Sequence, residues 1–127
     1  MRAVMQRWPA LAQGLYYAAS GAWPLLSMRS FESVTGPKAD KWLVRTVGGL
    51  VAVIGAVLSS AAARRRVHSE VLLLGVASAA SLAAIDVVYA IRGRISKIYL
   101  LDAFAEIALI GAWASVLARR LRDPGSR

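Results

Sequence analysis

The chain has 127 residues, 57% of them hydrophobic and 18% charged, with a mean hydropathy of +0.52. Soluble domains run near half apolar and a quarter charged, so a soluble enzyme fold and a disordered chain are both excluded. Sixteen Lys and Arg against seven Asp and Glu give +9, but the charge sits in short clusters between apolar runs, as in membrane proteins rather than nucleic-acid binders.

Four stretches can cross a hydrocarbon core of ~30 Å at ~1.5 Å per residue: residues 8–28, 42–63, 71–91 and 98–118. Backbone polar groups in lipid must be satisfied within their own segment, and alternation with a period of two is absent, so all four are predicted helices. The predicted fold is all-α, an integral-membrane antiparallel four-helix transmembrane bundle forming one domain over residues 1–127. The first span is the weakest, diluted by Gln13, Gly14, Gly21 and Pro24. Arg2 and Arg7 ahead of it, with Ala18-Ala19-Ser20 inside it, give it a rival reading as a signal peptide. Its apolar run continues to Leu26, which favours a retained helix.

The first connection runs from Arg29 to Lys41. Gly36-Pro37 within it reads as a helix start, with Pro at the first helical position, so the second helix is predicted to begin near Pro37. The other two connections, Arg64 to Glu70 and Arg92 to Lys97, are short and basic. With both termini cytoplasmic, the inner side holds Arg2, Arg7, Arg64, Arg65, Arg66, Arg119, Arg120, Arg122 and Arg127. The outer side then holds Arg29, Lys38, Lys41, Arg45, Arg92, Arg94 and Lys97. Nine against seven, with the densest groups inside, predicts a multi-pass protein of the bacterial inner membrane with both termini cytoplasmic.

Three and four residues apart along the second helix stand Lys38, Lys41, Arg45, Gly48, Ala52, Gly55 and Ser59. The small residues of this stripe mark close helix contact. The third helix has Gly75, Ala79, Leu82, Asp86 and Ala90, and the first contributes Gly14, Ala18 and Gly21. On the fourth helix Asp102 and Glu106 lie four apart, on one face. Counted from Trp42, Tyr99 and Ile91, the charges of Arg45, Asp102 and Asp86 lie roughly 5–8 Å below one interface. Glu106 is a turn deeper. Charges at that depth face inward. Arg45, Asp86, Asp102 and Glu106 are therefore predicted to form one cluster. It is either an ion-pair network that fixes helix register or a ligand or ion site, with Glu106 the acid in excess.

Other polar residues carry less. His68 has no second His and reads as a solvated loop residue. Ser59, Ser60, Ser78 and Ser81 read as packing or backbone-bonding residues, with no base nearby to activate them. Trp8, Trp42, Tyr99 and Trp113 read as interfacial or lipid-facing aromatics. With no Cys, thiolate chemistry and Cys-ligated metals are excluded. No phosphate loop, haem ligand pair or zincin motif is present, so no metal or cofactor is implied.

Trp23-Pro24-Leu25-Leu26, Ser30-Phe31-Glu32, Val34-Thr35-Gly36-Pro37-Lys38 and Trp42-Leu43-Val44-Arg45 together resemble small uncharacterised bacterial membrane proteins. The four-helix plan with a charged first loop resembles the DoxX-like group. The resemblance covers the chain in architecture and residues 23–49 in sequence texture, and it implies a fold but no binding residue. The size is similar to that of small multidrug transporters, but their first-helix acid has no counterpart here. The leading functional expectation is a non-catalytic inner-membrane protein with a polar pocket between helices, holding a lipophilic ligand or serving as an accessory subunit. The alternative is a proton- or cation-coupled small-molecule transporter using Asp86, Asp102 and Glu106, with a membrane enzyme third. The partners implied are the lipid bilayer, a lipophilic small molecule and a larger membrane partner or further copies of the chain, with no nucleic acid.

Overall fold

The computed structural model describes residues 6–122, so Arg2 and Arg127 of the inner-side count lie outside the described residues. These residues form five helices and no strand: α1 (Trp8–Leu26), α2 (Met28–Thr35), α3 (Lys41–Ala63), α4 (Ser69–Ile91) and α5 (Tyr99–Arg122). Helices α3, α4 and α5, of 23, 23 and 24 residues, are each long and apolar enough to cross a membrane. At 19 residues α1 is long enough, but its Trp, Tyr, Pro and Gln side chains hold it below the hydropathy of the other three.

The first connection departs from expectation. Helix α1 stops where Ser27 leaves helical geometry, at φ −155° and ψ 86°, and the Ser27 side chain accepts the Ser30 N–H at 3.3 Å to open α2. Trp23 fastens the corner: its Nε1 donates to Ser30 Oγ at 2.8 Å, and its ring meets Phe31 edge-on at 5.3 Å. Gly36 ends α2 at φ +99°, a left-handed geometry that favours glycine. The Glu32 carboxylate then accepts the Lys38 N–H at 2.8 Å. Lys38 Nζ donates to the carbonyls of Thr35 and Gly36, and stands over the rings of Phe31 and Tyr99 at 5.6 and 5.1 Å. Tied back to α2 in this way, the chain around Pro37 is not free to turn helical, and α3 begins at Lys41 instead.

The long helices associate as two pairs, α1 with α3 and α4 with α5, and α1 also meets α4 and α5. Contact between α1 and α3 is made backbone to backbone. A methyl built on Gly48 would lie 2.6 Å from the Gly21 carbonyl oxygen, and one on Gly55 2.6 Å from that of Gly14. Only residues without a side chain allow that approach. The small-residue stripes of the first and second predicted helices thus face one another. On α4 the buried face is Gly75, Ala79, Ala83, Asp86 and Ala90, with Ala83 where the stripe placed Leu82.

An apolar core closes the end of the molecule beside the α3–α4 turn, built from Ala10, Leu58, Ala62, Val67, Trp113 and Val116. Trp113 is wholly buried rather than lipid-facing. The outer face of the molecule is apolar as well: Leu50 is 62% exposed, Leu73 65% and Phe104 74%. Trp8 and Trp42 are also exposed.

Candidate functional site

Above the apolar core, the contact of α1 with α4 and α5 is polar. The lowest tier centres on Gln13, completely buried. Its Nε2 donates to the Gly75 carbonyl at 2.9 Å, and its Oε1 accepts from Trp113 Nε1 at 2.7 Å. Ser78 Oγ, 3.4 Å from Gln13 Nε2, donates to the Leu74 carbonyl at 2.5 Å, the backbone-bonding role expected of it. A buried amide must find partners for its oxygen and nitrogen, and Gln13 finds both on the opposite helix pair. The Trp113 ring reaches it because Gly75 leaves room, a Cβ there lying 2.6 Å from Trp113 Nε1.

One turn higher, Tyr17 donates its hydroxyl to Glu106 Oε1 at 2.6 Å, and Tyr16 donates its own to Asp102 Oδ1. Glu106 is 1% exposed and Asp102 half-buried. Asp86, 5% exposed, faces the carboxyls of both from α4. Among the described residues its buried Oδ2 meets no hydrogen-bond donor, and its carboxyl stands within hydrogen-bonding reach of Asp102. Three acids on two helices therefore share one layer, capped from α1 by two phenolic hydroxyls.

Arg45, the fourth member of the predicted cluster, does not join it. Its side chain is exposed on α3, and among the described residues the only salt bridge is Lys41 with Glu32 at 3.5 Å, outside the layer. The physical reason is the order of packing. Helix α3 makes its extensive contact with α1 and a slight one with α4, so a cation on α3 does not face the acids between α4 and α5. The predicted ion-pair network is not formed, and the acids meet tyrosines in place of arginine.

Gln13, Tyr16 and Tyr17 line this polar contact from α1, although none was expected there and Gln13 counted only as dilution of the first span. The signal was present in their spacing: Gln13 and Tyr17 are four apart and so share a face. Polar groups at such depth turn inward. Among the described residues no group of His, Asp and Glu is arranged to hold a metal ion. His68 is half-buried at the start of α4, with no side-chain capping bond. No protein-family model, curated protein or solved structure matches the chain.

Proposed function

We propose that the chain is a multi-pass protein of the bacterial inner membrane, spanning it with α1, α3, α4 and α5 and keeping both termini cytoplasmic, and that its carboxyl layer exchanges protons for a cationic ligand. The apolar outer face and the three membrane-length helices support the membrane assignment. Helix α1 joins as the fourth span because its polar side chains bond inward.

One observation carries the functional part. Asp86, Asp102 and Glu106 share a layer with no cation among the described residues, and among those residues a buried oxygen of Asp86 meets no hydrogen-bond donor. An unneutralised buried carboxylate costs several kcal/mol on the order expected for ion desolvation. Like charges at one site make that cost larger. Protons remove it, and so does a bound cation, and a layer satisfied by either one exchanges one for the other. This favours the proton- or cation-coupled carrier over a purely structural charge network. A pocket or accessory protein would hold the same protons without moving them.

Reconstitution separates these. Acid-loaded proteoliposomes of the wild type should release protons when monovalent organic cations are added outside, and Glu106→Gln should abolish the response. Equal release from wild type, variant and empty vesicles would leave the carrier function without support and return the layer to a static pocket.

A further inference from the structure

Between α1 and α5 a cleft of about 420 Å³ opens on the side of the molecule, lined by Trp8, Tyr16, Ala105, Ala108, Leu109 and Ala112. Its walls are methyl groups and aromatic rings. The lining of α5 continues in helical steps to Asp102, three residues before Ala105. Tyr16, which lines the cleft, donates its hydroxyl to the Asp102 carboxyl. Asp102 is half-buried, and Glu106 and Asp86 lie buried behind it. The cleft is thus apolar along its length, and Tyr16 of its wall links it to the Asp102 carboxyl beyond. From Asp102 to Ala112 the helix rises about 15 Å, room for a long alkyl chain.

Charge complementarity selects the occupant. Neither a neutral chain nor an anion can replace the positive charge of a proton that leaves the layer, and a strongly hydrated inorganic ion gains nothing from the apolar walls. We infer that the cleft binds an amphipathic organic monocation, its alkyl chain along Ala105, Ala108 and Ala112 and its head beside Asp102 and the Tyr16 hydroxyl. This rests on the proton-for-cation exchange proposed above and supplies its ligand class. The exchange is charge-neutral: as the cation arrives, one carboxyl O–H of the layer gives its proton to solvent, and the summed charge of layer and bound ligand is unchanged.

The test uses decyltrimethylammonium added to the full chain in an uncharged maltoside micelle at neutral pH, with the infrared band of protonated carboxyl as readout. The band should fall saturably with decyltrimethylammonium and not with decanol. Tetramethylammonium, the same head without the chain, should act at least about tenfold more weakly, since burying two methylenes already supplies that factor. Ala108→Trp, which fills the cleft from an exposed position, should abolish the decyltrimethylammonium response and keep the band. A band that ignores decyltrimethylammonium overturns the ligand class while leaving a protonated layer in place. An equal response to decanol makes the cleft a seat for lipid chains, and equal potency of tetramethylammonium or an unaltered Ala108→Trp response removes the cleft from binding. A missing band before any addition defeats the exchange itself.

Discussion

The Tyr17 hydroxyl donates to Glu106 Oε1 at 2.6 Å, with both side chains enclosed by the helices around them. With the Tyr16–Asp102 and Gln13–Trp113 bonds it is one of three side-chain hydrogen bonds that join α1 to α5 among the described residues, so it helps to set how the α1–α3 pair sits on the α4–α5 pair. Tyr17→Phe leaves a buried carboxyl oxygen short of a partner, a loss on the order of 1–3 kcal/mol. Thermal unfolding in micelles should show it, with Tyr16→Phe costing less because Tyr16 is partly exposed. Equal stability of Tyr17→Phe and wild type would mean that the bond contributes nothing net.

Trp113 and Gln13 make the second tie between the pairs, at 2.7 Å and in a fully buried setting. Gln13→Leu strands the indole N–H, and the expected loss is roughly 1–3 kcal/mol. Trp113→Phe removes the donor and leaves a cavity. A double-mutant cycle should return a coupling of about 1 kcal/mol between the two positions. Strict additivity would show that the amide and the indole are not partners.

Neighbouring glycines on α3 should respond with opposite signs. Gly48→Ala drives a methyl against the Gly21 carbonyl and the Pro24 ring, so α1 must move away, at roughly 1–3 kcal/mol. A Cβ on Gly49 meets nothing within 4 Å. Gly49→Ala should therefore stabilise α3 by up to about 1 kcal/mol through the lower backbone entropy of alanine. Unfolding curves of the two variants in one detergent decide the matter, and a shared sign would contradict the α1–α3 interface.

Glu32 gives the first connection its pH dependence. Its carboxylate accepts the Lys38 N–H and lies near Lys41, and these hold its pKa below the usual carboxylate value. A group depressed in the folded state contributes its stability above the unfolded value, near 4.3 for Glu, and loses it as pH falls through the lower folded value. Exchange of the Lys38 amide, corrected for intrinsic rate, should stay slow from neutral pH down to about 4.3 and quicken below it. Glu32→Gln should exchange faster at neutral pH and lack that transition. A pH-independent amide in wild type would mean that the carboxylate does not hold the loop.

The parts of this fold legible in sequence are those written as spacing along one helix. The small-residue stripe of Gly14 and Gly21, that of Gly48 and Gly55, and the shared face of Asp102 and Glu106 each follow from 3.6 residues per turn along one helix and need no knowledge of neighbours. What spacing does not reveal is which helix a face meets. Arg45 and Asp86 stand at similar calculated depths, but depth is one coordinate of three, and α3 meets α1 rather than the acids. Trp113 has the composition of an interfacial aromatic and is drawn inside by Gln13, a hundred residues earlier in the chain. Pro37 has the local signature of a helix start, and a side-chain bond from Glu32 overrides it. For Trp113 and Pro37 a long-range or loop hydrogen bond outweighs a local preference, and for Arg45 the order of helix packing does.

In the proposed exchange protons, and not a cation of the chain, neutralise the layer of Asp86, Asp102 and Glu106. Carboxyl infrared spectra of wild type, Asp86→Asn and Glu106→Gln at pH 7 measure it most directly. The ligand-free wild type should show a protonated-carboxyl band that shifts or disappears in at least one of these variants. A wild-type spectrum with ionised carboxylates only, unchanged in form by either substitution, would contradict it.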